Sequence, residues 1–143
     1  MFQPDPCTKA RVKRWLTSDE AGLFILGAVG LGRAVSLAPW VVDIHRRPVH
    51  LLEQLFPPHV WGLIWLLISV GCFVAIVWRR SQPLAVAAMT GIHFFWAASY
   101  SFTDGRGWVP SMTYFSIFAL ILWAFARGRR EPELVPHEPP KLE

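Results

Sequence analysis

The sequence predicts an all-α, polytopic membrane protein: a four-transmembrane-helix bundle with one short interfacial amphipathic helix and disordered termini. Three observations predict it. The stretch Val60 to Trp78, VWGLIWLLISVGCFVAIVW, carries no charged side chain. As a helix rising ~1.5 Å per residue it covers roughly 28 Å, close to the ~30 Å hydrocarbon core of a bilayer. Second, the 143 residues are 53% hydrophobic and include eight Trp and ten Phe, a single domain's length whose solvent would be lipid. Third, the formal net charge of +4 comes from Lys and Arg gathered at the ends of apolar segments. That placement suits a membrane protein and argues against a nucleic-acid partner.

Residues 1–19 read as a basic cytoplasmic tail. Lys9, Arg11, Lys13 and Arg14 suit an anionic membrane surface. Thr17-Ser18-Asp19-Glu20 reads as a capping box with Thr17 as the N-cap. Residues 20–127 then form the membrane domain. Its first span covers about 21–42. Ser36-Leu37-Ala38 resembles a signal-peptide cleavage site, but Asp19 and Glu20 against the apolar run, Arg33 within it and Pro39 after it oppose cleavage. Gly27, Gly30 and Ala34 sit at helical spacing and offer a small face for close helix approach.

An interfacial helix follows over about 49–56. Leu51, Leu52, Leu55 and Phe56 share one face, and His50, Glu53 and Gln54 share the other, so it should lie on the membrane surface. The second span covers about 60–78, with Trp61, Gly62, Trp65, Ser69 and Cys72 on one side at ~100° per residue. Gly62 and Ser69 extend the small-residue packing surface. Arg79 to Gln82 make a basic turn, and Pro83 opens the third span, about 83–102. Asp104-Gly105 is a turn signal. The fourth span covers about 108–126. Short connections make the second, third and fourth spans antiparallel neighbours. Residues 128–143 are Pro-rich and too poor in apolar groups to order, so they read as a disordered cytoplasmic tail.

Charge sets orientation. Lys9, Arg11, Lys13, Arg14, Arg79, Arg80, Arg127, Arg129 and Arg130 flank one side of this arrangement; Arg46, Arg47 and Arg106 flank the other. The positive-inside rule predicts a multi-pass protein of the cytoplasmic (inner) membrane of a bacterial host, with both termini cytoplasmic.

Two features carry chemistry. Arg33 is an intramembrane charge, about a dozen residues into its helix. It should either snorkel outward or pair with an acid, and Asp104 and Glu53 are the partners at the same side. Thr90, His93, Ala97, Tyr100 and Asp104 recur at spacings of three and four, which puts them on one stripe of the third span. Lipid cannot satisfy such groups. The stripe therefore either contacts neighbouring helices or lines water in an assembled pore. His45, His50, Glu53 and His59 cluster in sequence but match no metal-site spacing, so no metal is expected. There is no P-loop, no H-E-x-x-H, no C-x-x-C and no G-x-S-x-G. Neither a cofactor nor a catalytic set is expected, and the chain does not read as an enzyme.

The early glycine-rich GAVGLGRAV, the segment HVWGLIWLLISVGCFVAIVWRR, the stretch HFFWAASY and the basic RGRR carry a further likeness. Over roughly residues 20 to 130 the chain resembles the small multi-span membrane proteins of actinobacterial phages termed holin-like. The resemblance implies a homo-oligomer that self-associates in the bilayer and permeabilises it during phage lysis. Two alternatives stand beside it: a non-lytic accessory subunit or phage exclusion factor that partners other membrane proteins, and a small transporter using Arg33 and His93.

Overall fold

The computed structural model describes residues 18–43, 46–103, 105 and 107–127. The basic segment 1–17, Asp104 and the Pro-rich segment 128–143 lie outside the described residues. So do the expectations of tail disorder. Among the described residues the chain forms helices and turns only: α1 (Asp19–Ser36), α2 (Leu51–Leu55), α3 (Pro58–Val77), a 3₁₀ turn (Arg79–Ser81), α4 (Gln82–Ser101) and α5 (Trp108–Arg127).

Each boundary has a local cause. Ser18 caps α1, its hydroxyl accepting the Ala21 N–H at 3.3 Å. The cap thus falls one residue later than the Thr17 box predicts, and Glu20 lies 2.8 Å from Arg79. The helix ends at Ser36 rather than near residue 42. Pro39 disfavours helical backbone at Ala38, and the chain closes into turns, with the Val41 and Val42 N–H groups both donating to the Ala38 carbonyl. Pro58 and Pro83 sit in the first turns of α3 and α4, where a missing N–H costs nothing.

α1 packs on α3, α4 on α5, and α3 on α4. Small side chains set the α1–α3 distance. A Cβ on Gly27 would sit 2.9 Å from the Phe73 ring, and one on Gly62 would sit 3.3 Å from the Ala34 carbonyl. A Cβ on Gly30 would meet the Ser69 hydroxyl. The small residues Gly27, Gly30, Ala34, Gly62 and Ser69 are therefore used inside one protomer.

Two helices, Pro58–Val77 and Trp108–Ala126, are long and apolar enough to cross a membrane. α1 and α4 carry more polar groups, and Thr90, His93 and Ser99 of α4 are buried. Outward-facing large apolar side chains outnumber the buried ones, while Ser69, Thr90, His93, Ser99, Ser111, His50 and Glu53 are buried.

α2 departs from expectation. It has five residues, and part of its polar face points inward: His50 and Glu53 are buried, whereas Gln54, Leu51, Leu55 and Phe56 are exposed and Leu52 packs against the core. The polar partners that the interior offers, described next, explain the inversion.

Candidate functional site

The polar interior lies at one end of the bundle, where α1 and α4 finish and α3 and α5 begin. Its outer layer is α2. The Ser99 hydroxyl of α4 accepts the Leu52 N–H at 2.9 Å and lies 2.8 Å from His50 Nδ1. Ser99 thus satisfies an N-terminal amide of α2 that the N-cap His50 leaves open. Glu53 accepts the Val49 N–H at 3.0 Å and the Arg46 guanidinium at 2.6 Å, with His50 Nε2 at 3.5 Å. Burial alone would push its carboxyl up, but the nearby His50 ring and the hydrogen bonds from Val49 and Arg46 outweigh it and hold the pKa at about 2. The Trp61 indole N–H donates to the Leu52 carbonyl, tying α2 to the start of α3.

Beneath α2 lies an aromatic layer centred on Trp96. Its ring is 4.4 Å from His50, 5.9 Å from Trp65, 5.6 Å from Tyr114 and 6.1 Å from Tyr100, centroid to centroid. Tyr100 and Tyr114 stack at 5.8 Å and 10°. The Arg33 guanidinium rests on this layer, 4.5 Å from the Trp96 centroid and 5.9 Å from that of Tyr114. A cation over ring faces is stabilised by the ring quadrupole, more so when desolvated. Arg33 also donates to the Ser36 hydroxyl at 3.3 Å.

Glu53 is therefore engaged by Arg46, not by Arg33, and Asp104, the other expected partner, lies outside the described residues. Arg33 neither snorkels freely nor pairs with Glu53; aromatic faces hold it. The Arg33 Nε and the indole nitrogens of Trp65 and Trp96 are buried with no hydrogen-bond acceptor among the described residues.

Part of the α4 stripe meets neighbouring helices, and part bonds its own helix. Thr90 donates to the Val86 carbonyl at 2.6 Å, and His93 Nδ1 lies 2.8 Å from the Met89 carbonyl, both one turn back on α4 itself. A carbonyl only accepts, so Nδ1 carries the proton of this contact. Ala97 is buried, and its carbonyl accepts from Ser111 of α5 at 2.9 Å. Tyr100 joins the aromatic stack. Asp104 lies outside the described residues. Polar side chains that bond their own helix need neither a neighbour nor water.

Ser99, Ser111, Trp96 and Tyr114 hold the site together and were not singled out by spacing. The signal for two of them was the WAASY run, in which Trp96, Ser99 and Tyr100 fall three and four apart.

A cleft of about 380 Å³ separates α1 from α5 beside Arg33, with Trp65 and His93 among its lining residues. Among the described residues no three His, Cys, Asp or Glu side chains converge as a metal site would require. The chain matches no family model, no curated protein and no solved structure.

Proposed function

We propose that this chain is a four-span integral protein of a bacterial cytoplasmic membrane, acting as a non-lytic accessory or exclusion factor rather than as an enzyme. One observation carries the membrane reading: many large apolar side chains face outward while polar groups such as Ser69, Thr90, His93 and Ser99 are buried in the core. In water such a surface would associate indiscriminately; in lipid it is what solvation requires. α1 and α4 complete the span count. Thr90, His93 and Ser99 of α4 are buried, and α1, at 18 residues, reaches ~27 Å at 1.5 Å per residue. Arg79 and Glu20 mark one end of the bundle, Arg46 and Arg47 lie by the other, and the excess of Lys and Arg assigns the first to the cytoplasm.

The accessory role is supported by where the polar groups go. Thr90 and His93 bond their own helix, Ala97 is covered by Ser111, and the glycine faces are used between α1 and α3. A self-contained protomer leaves little to line water. The holin-like reading keeps the support of the sequence resemblance and of the broad apolar exterior of α5, on which copies could associate. It requires the bundle to open so that the α4 stripe meets water.

Inducible expression in a bacterium, with membrane potential followed over time, decides between them. The accessory reading expects normal growth with abundant membrane-inserted protein. Collapse of the potential after a delay reverses the order of the two. Reporter fusions at Leu16, Gln54, Gln82, Gly105 and Pro132 should read in, out, in, out, in. An outside signal at Gln82 removes the four-span reading.

A further inference from the structure

The cleft between α1 and α5 joins four features. It holds a cation, Arg33, and none of its lining residues is a carboxylate. Glu20 is engaged by Arg79, and Glu53 by Arg46 with His50 nearby. Two of the cleft's lining residues carry a buried donor with no acceptor among the described residues, Arg33 through Nε and Trp65 through its indole nitrogen. Unpartnered donors beside a positive charge call for an acceptor-rich anion.

Depth and shape then choose among anions. Arg33 lies three residues from the end of α1 at Ser36, or ~4.5 Å along the axis. On the four-span reading, on which this inference rests, that is just under the outer polar zone where lipid phosphates lie. The lining grades with depth. Ser36 and Arg33 stand nearer the end of α1, and Val29 with Ile117 of α5 lies deeper. α1 and α5 supply most of the lining, with Trp65 of α3 and His93 of α4 between them. A polar head above an apolar chain fits that gradient.

We propose that this cleft binds the phosphate of an anionic phospholipid in the outer leaflet, with Arg33 as its charge partner. The guanidinium is held in place by Trp96 and Tyr114, so its planar donors are preorganised for phosphate oxygens. Tyr114 supplies a second polar group at the same wall.

The test uses the full chain, purified and delipidated in detergent, and native mass spectrometry of bound lipid. The probes are phosphatidylglycerol, diacylglycerol and inorganic phosphate. Phosphatidylglycerol should be retained at least tenfold better than diacylglycerol. Arg33→Met should abolish that preference. Gly32→Leu gives an independent reading, because Gly32 lines the cleft with nothing within 4 Å of its Cβ position and tolerates a larger side chain without disturbing the core. It should reduce phosphatidylglycerol retention at least tenfold at unchanged thermal stability.

Equal retention of the two lipids would make the bound lipid a nonspecific annulus and overturn the proposal. So would full retention in Gly32→Leu. Displacement by millimolar inorganic phosphate would assign the site to a soluble anion and remove the lipid. A tenfold gain in phosphatidylglycerol binding on Asp104→Asn would make Asp104 the resident partner of Arg33, and the lipid site would fall. Failure of the span count appears separately, in the reporter fusions, so a four-span protein without lipid preference overturns this site alone.

Discussion

The α1–α3 seam and the α4–α5 seam solve the same problem with opposite materials. Between α1 and α3 the contact is made by what is missing: glycine hydrogens at 27, 30 and 62 let two backbones approach, and dispersion over the whole seam does the rest. Between α4 and α5 the contact is made by what is present. Ser111 bridges the Ala97 carbonyl and the Ser101 hydroxyl, Tyr100 stacks on Tyr114, and Phe94 meets Phe118 at 5.4 Å. The first seam tolerates no addition, whereas the second tolerates the loss of single groups, because each polar atom there has a second partner or a ring to rest on.

The largest expected effect follows from the first seam. Gly30→Leu places a branched side chain into Ser69 and Met89, both fully buried. It should cost more than about 3 kcal/mol and prevent α1 from docking. Gly32→Ala, two residues on in open space, should be neutral or gain up to about 1 kcal/mol from helix propensity. Thermal unfolding in detergent of the pair measures the contrast. Equal losses would show that the seam is set by something other than close approach.

Glu53 comes next and sharpens the comparison at the polar end of α4. Its pKa falls from 4.5 to about 2 on folding. A lowered carboxylate pKa contributes stability that is fully present above the unfolded value and is lost as pH falls through the folded one. The contribution should therefore be complete above pH 4.5 and disappear toward pH 2, with a size of order 3 kcal/mol. Glu53→Gln should lower stability by about that amount near neutrality and flatten its pH dependence below 4.5. Unfolding midpoints recorded from pH 2 to 7 in detergent would check both.

Much of the helix layout was legible because membrane length and proline position are local signals. α3, α4 and α5 begin and end within two residues of where apolar runs and Pro58, Pro83 and Pro110 put them. The end of α1 was misjudged because apolar residues continue past Pro39 and hydropathy alone does not register a turn. α2 was misjudged for a deeper reason. Periodicity finds two faces of a helix but not which face has partners, and the partners of His50 and Glu53 are Ser99, 49 residues from His50, and an arginine in an irregular segment. The same limit applied to Arg33. Its partners are the rings of Trp96 and Tyr114, which stabilise a cation without carrying charge and so leave no charge pattern in the sequence.

Ser111→Ala tests how forgiving the α4–α5 seam is. The Ala97 carbonyl loses one donor but keeps the Ser101 hydroxyl at 3.0 Å. The loss should stay within about 0.6–1.7 kcal/mol, the range of interhelical hydrogen bonds in membranes. A loss comparable to Gly30→Leu would mean that the two seams are equally brittle.

The smallest effect belongs to the pair that joins the two seams at the charged end. Arg79 reaches Glu20 at 2.8 Å, linking the start of α1 to the turn between α3 and α4. The Arg79 side chain is 79% exposed, so water and ions screen the attraction and holding a long side chain still costs rotamer entropy. A double-mutant cycle of Arg79→Gln and Glu20→Gln should return a coupling under about 1 kcal/mol that fades between low and high salt. Its value lies in location. A coupling that is large and indifferent to salt would place this end out of water, and a basic cluster out of water is incompatible with Arg79 and Arg80 marking a cytoplasmic surface. The weakest contact is thus the one whose salt dependence reports which end of the bundle is wet.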